Sequence, residues 1–516
     1  MIVLVGACGL ERLGDALRRA GERVEVLPPT AAADIAAREP TLVYADLFDA
    51  HWLDAHWQAH LTGRRGPSTR KQEATLRAYA DLPLVVRGLR VPPGGADGPG
   101  LPPPAPALQR ARHLLANSRT VDVQGLWQRH GIVDDGVRFG VGHGEPELGE
   151  FGHSRLDGRS AADLEAEAVL AWLDARRGHT CKAVVVDLDD TLIYGEIAAP
   201  EFTERNPAWG GSLPAAEAWW RAPRGIHEAL RLARRRGLAL ALVSRNDEAL
   251  VRARFRCMPA LGDRLLDVDR FDTLVVGFGA KSAACREVAA RLGVGLDSIA
   301  FLDDSEVERA EVAANAPEVL LLPGNAARAR ETLLHGRRFV AWSATEAHAR
   351  RPDSYRSRAA VTAASREGEA ALLHFLHALH IELHIREALP EDGPRIDELL
   401  ARSHQLRLTG APAPPAGARL FLASCRDRLA DHGIVGVLWF EGADGDRRVG
   451  ELAMSCRVLP HRVAPSFLAA SLAAEPSAHA TYVPTGRNAA AADLAVEACR
   501  GVAGWVRLTT GIAPRA

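Results

Sequence analysis

Apolar residues fall along this chain in two patterns: short uninterrupted runs, and longer stretches where they recur every three or four positions. The first predicts strands buried on both faces, and the second predicts amphipathic helices. Residues 2–5 read as a strand, 10–20 as a helix and 24–27 as a second strand, which is the opening of a parallel α/β unit. Residues 92–106 (PPGGADGPGLPPPAP) are too rich in Pro and Gly for regular structure and read as a loop. A helix over 107–116 and a strand near 120–123 follow. A helix over 161–177 then leads into the apolar run 181–186, where a second α/β unit begins. Strands at 238–243, 273–276 and 298–302, with helices at 225–235 and 282–292, give the alternation of a doubly wound parallel sheet. Residues 350–368, rich in Arg, Ser and Ala, read as a connection. Beyond it, helices at 395–402 and 465–473 mix with strands at 381–385, 433–440 and 448–454, predicting an α+β unit. No internal repeat is visible, and 516 residues suit about three compact units.

Composition narrows the partners. The 63 Lys and Arg nearly balance the 65 Asp and Glu. No global field therefore favours a nucleic acid or an anionic membrane, and a charged partner needs a local patch. The seven cysteines, Cys8, Cys181, Cys257, Cys285, Cys425, Cys456 and Cys499, include no CxxC pair. This argues against a disulfide framework or a structural zinc site and for a reducing compartment. The N-terminus has a short apolar start without a basic leader, so it reads as strand and helix, not as a signal peptide. No apolar stretch has the length of a membrane span, and the expected location is the cytoplasm.

The candidate chemistry lies at strand ends. After the run 181–186 comes Asp187-Leu188-Asp189-Asp190-Thr191, in the crevice where α/β sheets place their ligands. Two carboxylates at i and i+2 suit one phosphate: Asp187 can attack phosphorus, and Asp189 can protonate the leaving oxygen and later deprotonate water. A bare acidic cluster of this kind also occurs as a solvated loop, but three further elements join it. The strand 238–243 ends in Ser244, Arg245 and Asn246, whose hydroxyl and backbone amides can meet a phosphoryl oxygen. Lys281 opens a helix after the next strand and can neutralise the carboxylate and the transferring group. The strand 298–302 ends in Asp303-Asp304, the second acidic cluster that a hard dication needs. Mg²⁺ between Asp187 and Asp303 would relieve the repulsion of an anion attacking an anion.

These four pieces, in this order, resemble the four motifs of the haloacid dehalogenase superfamily. The resemblance implies a metal held by Asp187, by the backbone carbonyl of Asp189 and by Asp303, with Asp304 as an outer or alternative ligand, and it places Thr191, Arg245 and Asn246 at the substrate. The phrases LLARSHQLRLTG, CRDRLADHGIVGVLWF, ELAMSCRVL and YVPTGRN, taken with VVVDLDDTL and SIAFLDDSEVERAEV, resemble the FkbH-like enzymes of polyketide biosynthesis. That resemblance runs from about Cys181 to Asn488 and implies three domains. An SGNH-hydrolase-like, non-catalytic α/β domain spans 1–165. A Rossmann-like haloacid dehalogenase domain spans 178–345, and a GNAT-like α+β domain spans 370–516. It also implies a function: capture of a glyceryl or related three-carbon unit from 1,3-bisphosphoglycerate, removal of its remaining phosphate, and loading onto the phosphopantetheine thiol of an acyl carrier protein. Cys456 matches the acyl-carrying cysteine, and His404, Asp431 and His432 are candidate base or orienting groups. His404 and Asn488 are candidate substrate contacts.

Cys8, in GACGLE, stands near the place of an SGNH serine, but the GDS pattern is absent and the first domain is expected to be a scaffold or a carrier-docking surface. After the first motif the family's Trp-Gly-Gly is replaced by Ile193-Tyr194-Gly195-Glu196 and a stretch with Trp209, Trp219 and Trp220, either a lid or a packed excursion. Phe278 and Gly279 replace the family's Trp near Lys281, so the acyl unit can differ from glycerate. Two other readings compete: a Mg²⁺-dependent small-molecule phosphatase whose last domain binds a partner, and an acetyl-CoA-dependent acetyltransferase, for which no Gly-rich pyrophosphate loop is visible.

Overall fold

In the computed structural model the chain is described except at residues 7–9, 90–105, 117, 133–151, 194, 199–224, 257–269, 343–349, 404, 416, 443–446, 487, 512–516 and most of 49–65. Cys8, His404, the Pro/Gly-rich loop at 92–105 and the Trp-bearing stretch lie outside the described residues. Two compact units result, Met1–Arg176 and Arg177–Ala516. No helix among the described residues is long and apolar enough to cross a membrane. The described cysteines are all free.

The first unit is a parallel sheet of β1 (Ile2–Val5), β2 (Val24–Leu27), β3 (Leu42–Ala45), β4 (Leu84–Arg87) and β5 (Thr120–Val121), ordered β2-β1-β3-β4-β5. The strand expected at 120–123 stops two residues early because Asp122 caps a helix, Val123–Arg129, by accepting from the Gly125 amide. A charge network is buried in this unit. Arg87 bonds Asp46 at 3.0 Å and Glu165 at 2.7 Å, and Tyr44 donates to Glu165 at 2.7 Å.

The second unit carries two sheets. The parallel one contains β6 (Ala183–Val186), β7 (Ala239–Ser244), β8 (Thr273–Val276), β9 (Ile299–Leu302) and β10 (Leu320–Leu321), ordered β10-β9-β6-β7-β8. Its central strands β6 and β9 are apolar throughout because both faces are covered. Val184, Val186, Leu240, Leu242, Ala300 and Leu302 join one core. Their neighbours Ala183, Val185, Ala241, Val243, Ile299 and Phe301 join the other, as the period of two requires.

The second sheet is mixed. It contains β11 (Ile381–Glu387), β12 (Leu420–Arg426), β13 (Asp431–Glu441), β14 (Arg447–Met454), β15 (Ala478–His479) and β16 (Val506–Thr510), ordered β15-β14-β13-β12-β11-β16. The four strands β11 to β14 pair antiparallel, and the two outer strands are parallel to their neighbours. The molecule is thus α/β in its first two sheets and α+β in its third.

The connection at 350–368 is a helix, Arg351–Arg366, and its buried positions include Arg351, Ser354, Tyr355, Ser357, Arg358 and Val361. They recur at helical spacing. Because most are polar, hydrophobic periodicity does not mark them as an inward face.

Candidate functional site

The order β10-β9-β6-β7-β8 places a topological switch between β6 and β9. The chain leaves β6 towards β7 and β8 on one side, then returns to β9 on the other. In open α/β sheets the connecting helices part at such a point and leave a crevice beyond the carboxyl ends of the two strands. Asp187 follows β6 and Asp303 follows β9, so both carboxylates enter that crevice.

Asp187, Asp303 and Asp304 bring carboxylate oxygens within 4.8 Å of one another. Lys281, the first residue of the helix Lys281–Leu292, pairs with Asp187, lies 3.6 Å from Asp303 Oδ2 and donates to the Val243 carbonyl at 3.3 Å. Burial raises the Asp187 carboxyl to about 7, against the pull of the Lys281 ammonium and with the Asp303 charge adding to the rise. Burial also raises Asp303 and Asp189. Lys281 thus faces Asp187 and Asp303, two carboxylates whose charged forms burial disfavours, and a divalent cation would offset their charge. The fit is further supported by Asp303 Oδ2, which is buried without a hydrogen-bond partner. All these donors are oxygens, as a hard cation prefers.

Asp189 is held at both oxygens. The Ile197 amide donates to Oδ1 and Asn246 Nδ2 to Oδ2, both at 2.7 Å. Asn246 Nδ2 also donates to Ser244 Oγ at 2.8 Å, so Asp189, Asn246 and Ser244 form one chain of side chains. Asp190 adopts φ 52°, a left-handed conformation that a non-glycine residue rarely takes, and its carboxylate accepts from the Gly195 amide at 2.7 Å. Thr191 turns to Asp304, donating to Oδ1 at 2.9 Å and accepting from the Asp304 amide at 3.1 Å. Here its hydroxyl orients the acidic turn, where a substrate contact was expected. Arg245 is half-exposed, donates to the Gly279 carbonyl at 3.2 Å and pairs with Glu308 at 2.6 Å. Phe278, next to Gly279 in the chain, is exposed.

Two supporting residues escaped the sequence reading. Glu311 accepts from the Ser282 amide at 2.9 Å and from its hydroxyl at 2.6 Å. It thereby supplies from another helix the cap that Ala280 cannot, and it fixes the helix start that carries Lys281. Arg309 Nη1 donates to the Asp303 and Asp304 carbonyls, each at 2.7 Å, and pins the acidic turn. Both lie one or two turns into SEVERAEV, where the only signal is their place on the helix that follows Asp304.

The C-terminal candidates are distributed differently. Cys456 is half-buried and begins a 3-10 turn, Cys456–His461, just after β14; its carbonyl accepts from Arg358. Asn488 was expected at the substrate, but it is fully buried and its amide is engaged at both ends. Nδ2 donates to the Arg407 and Val483 carbonyls at 2.9 Å, and Oδ1 accepts from the Thr485 amide at 2.7 Å. It closes a loop. Asp431 is exposed and pairs with Arg350 at 2.6 Å. His432 is fully buried, with Nε2 2.8 Å from Asp427 Oδ2. His461 Nε2 lies 3.1 Å from the same oxygen, and Ser357 donates to it at 2.7 Å. Burial pushes Asp427 up, but the hydrogen bonds from His432, His461 and Ser357 outweigh it and hold the carboxyl far below its usual range. Asp427 and His461, neither singled out from the sequence, are therefore the partners that orient His432.

No protein-family profile matches the chain, and no curated protein matches it. Among solved structures, the N-terminal part of a Bacteroides fragilis protein, described as containing a phosphatase domain complexed with Mg, is similar in fold at 18% identity. Its TM-score is 0.49, over 66% of this chain and 94% of that one.

Proposed function

We propose that the β6–β9 crevice is a Mg²⁺-dependent phosphohydrolase site with Asp187 as phosphoryl acceptor, and that it serves an acyl unit captured on Cys456 for transfer to a carrier protein. The observation that carries the first part is the convergence of Asp187, Lys281, Asp303 and Asp304 at the switch point. The second part rests on the resemblance of the C-terminal phrases to FkbH-like enzymes, which also underlies the three-domain reading with a non-catalytic first domain.

Mg²⁺ would be held by Asp187, Asp303 and Asp304, with the Asp189 backbone carbonyl that the resemblance adds, and would offset the charge between carboxylate and phosphate. The protein's own groups then divide the work. Asp187 attacks phosphorus, an O–P bond forms, and the bond to the leaving alcohol oxygen breaks. Asp189, oriented by Ile197 and Asn246, gives that oxygen its proton. Water hydrolyses the aspartyl phosphate as Asp189 takes the proton back. Lys281 favours the anionic form of Asp187, working against the burial that raises its carboxyl.

At Cys456 the thiolate attacks the carbonyl carbon of an acyl phosphate, a C–S bond forms, and phosphate departs with the C–O electron pair. The phosphopantetheine thiol of the carrier then displaces Cys456 from the thioester. The competing reading is a small-molecule phosphatase whose C-terminal sheet binds a partner. Intact-protein mass spectrometry after exposure to 1,3-bisphosphoglycerate separates the two. The acyl-capture reading expects an adduct on the wild type and none on Cys456→Ala, and equal adduct on both would leave the phosphatase reading standing.

A further inference from the structure

The second unit has a cleft that the phosphate crevice does not use. Cys456 lies in its wall, and five cationic side chains face it: Lys182, Arg351, Arg395, Arg402 and Arg457. A single carboxylate, Glu398, stands among them. It bonds Arg395 at 2.6 Å, lies 3.8 Å from Arg402 and pairs with Arg351. Arg457 turns to hydroxyls, donating to Ser455 Oγ at 3.2 Å and Ser354 Oγ at 3.1 Å. Lys182 has no ion-pair partner among the described residues.

Burial pushes all four guanidinium groups down from their usual range, and neighbouring guanidinium charges push Arg351, Arg395 and Arg457 further. Cations held out of water with so few counter-charges repel one another, and the fold tolerates this where an anion completes the set. Guanidinium forks around an ammonium match the geometry and charge of a phosphate.

We propose that this cleft is a phosphate-binding site that seats a phosphorylated ligand beside the Cys456 thiol. For the role of Cys456 it rests on the acyl-capture reading; the anion site itself does not. Two ligands share the required chemistry: a three-carbon acyl donor that keeps a phosphate, and the phosphodiester end of the carrier's phosphopantetheine arm.

The test is the rate at which iodoacetamide alkylates Cys456, followed by peptide mass spectrometry, in the full-length Asp187→Asn protein. Inorganic phosphate should slow the labelling, and Lys182→Met should raise the phosphate needed by about tenfold. Comparing 3-phosphoglycerate with glycerate, and phosphopantothenate with pantothenate, assigns the source: the phosphorylated compound that protects at lower concentration marks the donor or the arm. Pantothenate and glycerate protecting as well as their phosphorylated partners would overturn the site, as would full protection retained in Lys182→Met. Thermal unfolding guards against a folding artefact. Lys182→Met should melt no lower than its parent, since an uncompensated cation is removed, and should lose the stabilisation by phosphate. A lower melting temperature would show the ammonium to be compensated and would also overturn the site. Phosphate protection without an acyl adduct on the wild type keeps the anion site and sinks acyl capture, while an adduct without phosphate protection does the reverse.

Discussion

At the residue scale two neighbouring carboxylates have different surroundings. Asp187 faces Lys281, Asp303 and Asp304, whereas Asp189 faces the Ile197 amide and Asn246. Asp187→Asn should reduce Mg²⁺-dependent phosphate release by at least about a hundredfold, because a neutral amide is a poor nucleophile and a weak ligand. Asp189→Asn should lose turnover to a similar extent but keep Mg²⁺ affinity. Paired assays of phosphate release and of Mg²⁺-dependent thermal stabilisation check this, and equal loss of Mg²⁺ affinity in both variants would contradict the split. Asp187, Lys281 and Asp303 were legible in the sequence because each ends a strand or begins a helix, where an acidic or basic residue after an apolar run is conspicuous. Thr191 and Asn488 were legible as polar residues in matching phrases, but their hydrogen bonds turn inward, to Asp304 and to a loop backbone. Spacing carries no information on where a side chain's partners lie.

At the element scale the helix Lys281–Leu292 is the device that delivers the cation. Its start lacks a side-chain cap of its own and borrows Glu311 from the helix Glu306–Asn315. Glu311→Ala should cost about 1 kcal/mol of stability, the usual price of a lost helix cap, and should lower kcat by letting Lys281 drift. Glu311→Gln, which keeps an acceptor, should recover part of both. Chemical denaturation and steady-state phosphate release measure the pair, and a variant with lost cap stability and intact kcat would separate Glu311 from the site. In the parallel sheets β1, β2, β5, β6, β7, β8 and β9 were read from the sequence as short apolar runs, whereas β3, β4 and β10 went unread. The helix Arg351–Arg366 was read only as a connection. Its inward face is built from Arg, Ser and Tyr, so its packing shows only once Cys456, Asp427 and His461 stand against it. The strands β12, β15 and β16 also went unread, although the apolar residues of β12 divide between the two cores of the mixed sheet.

At the scale of the whole molecule, two compact units carry separate polar interiors. In the first, Arg87 is buried between Asp46 and Glu165, and removing it strands two carboxylates in the core. Arg87→Met should therefore destabilise that unit by about 3–5 kcal/mol. Phosphate release at the β6–β9 crevice should be unaffected below the unit's unfolding temperature. Calorimetry beside a phosphate assay reads both, and a parallel fall in release would show that the first unit supports the chemistry. The most direct test of the account as a whole asks whether dephosphorylation at Asp187 and acyl capture at Cys456 are separable steps on one chain. Wild-type and Asp187→Asn proteins are exposed to 1,3-bisphosphoglycerate with Mg²⁺, and their intact masses are compared. The account predicts an acyl adduct on both, heavier on Asp187→Asn by the mass of one phosphoryl group. Adducts of equal mass would contradict it, because the phosphate would then be leaving without Asp187.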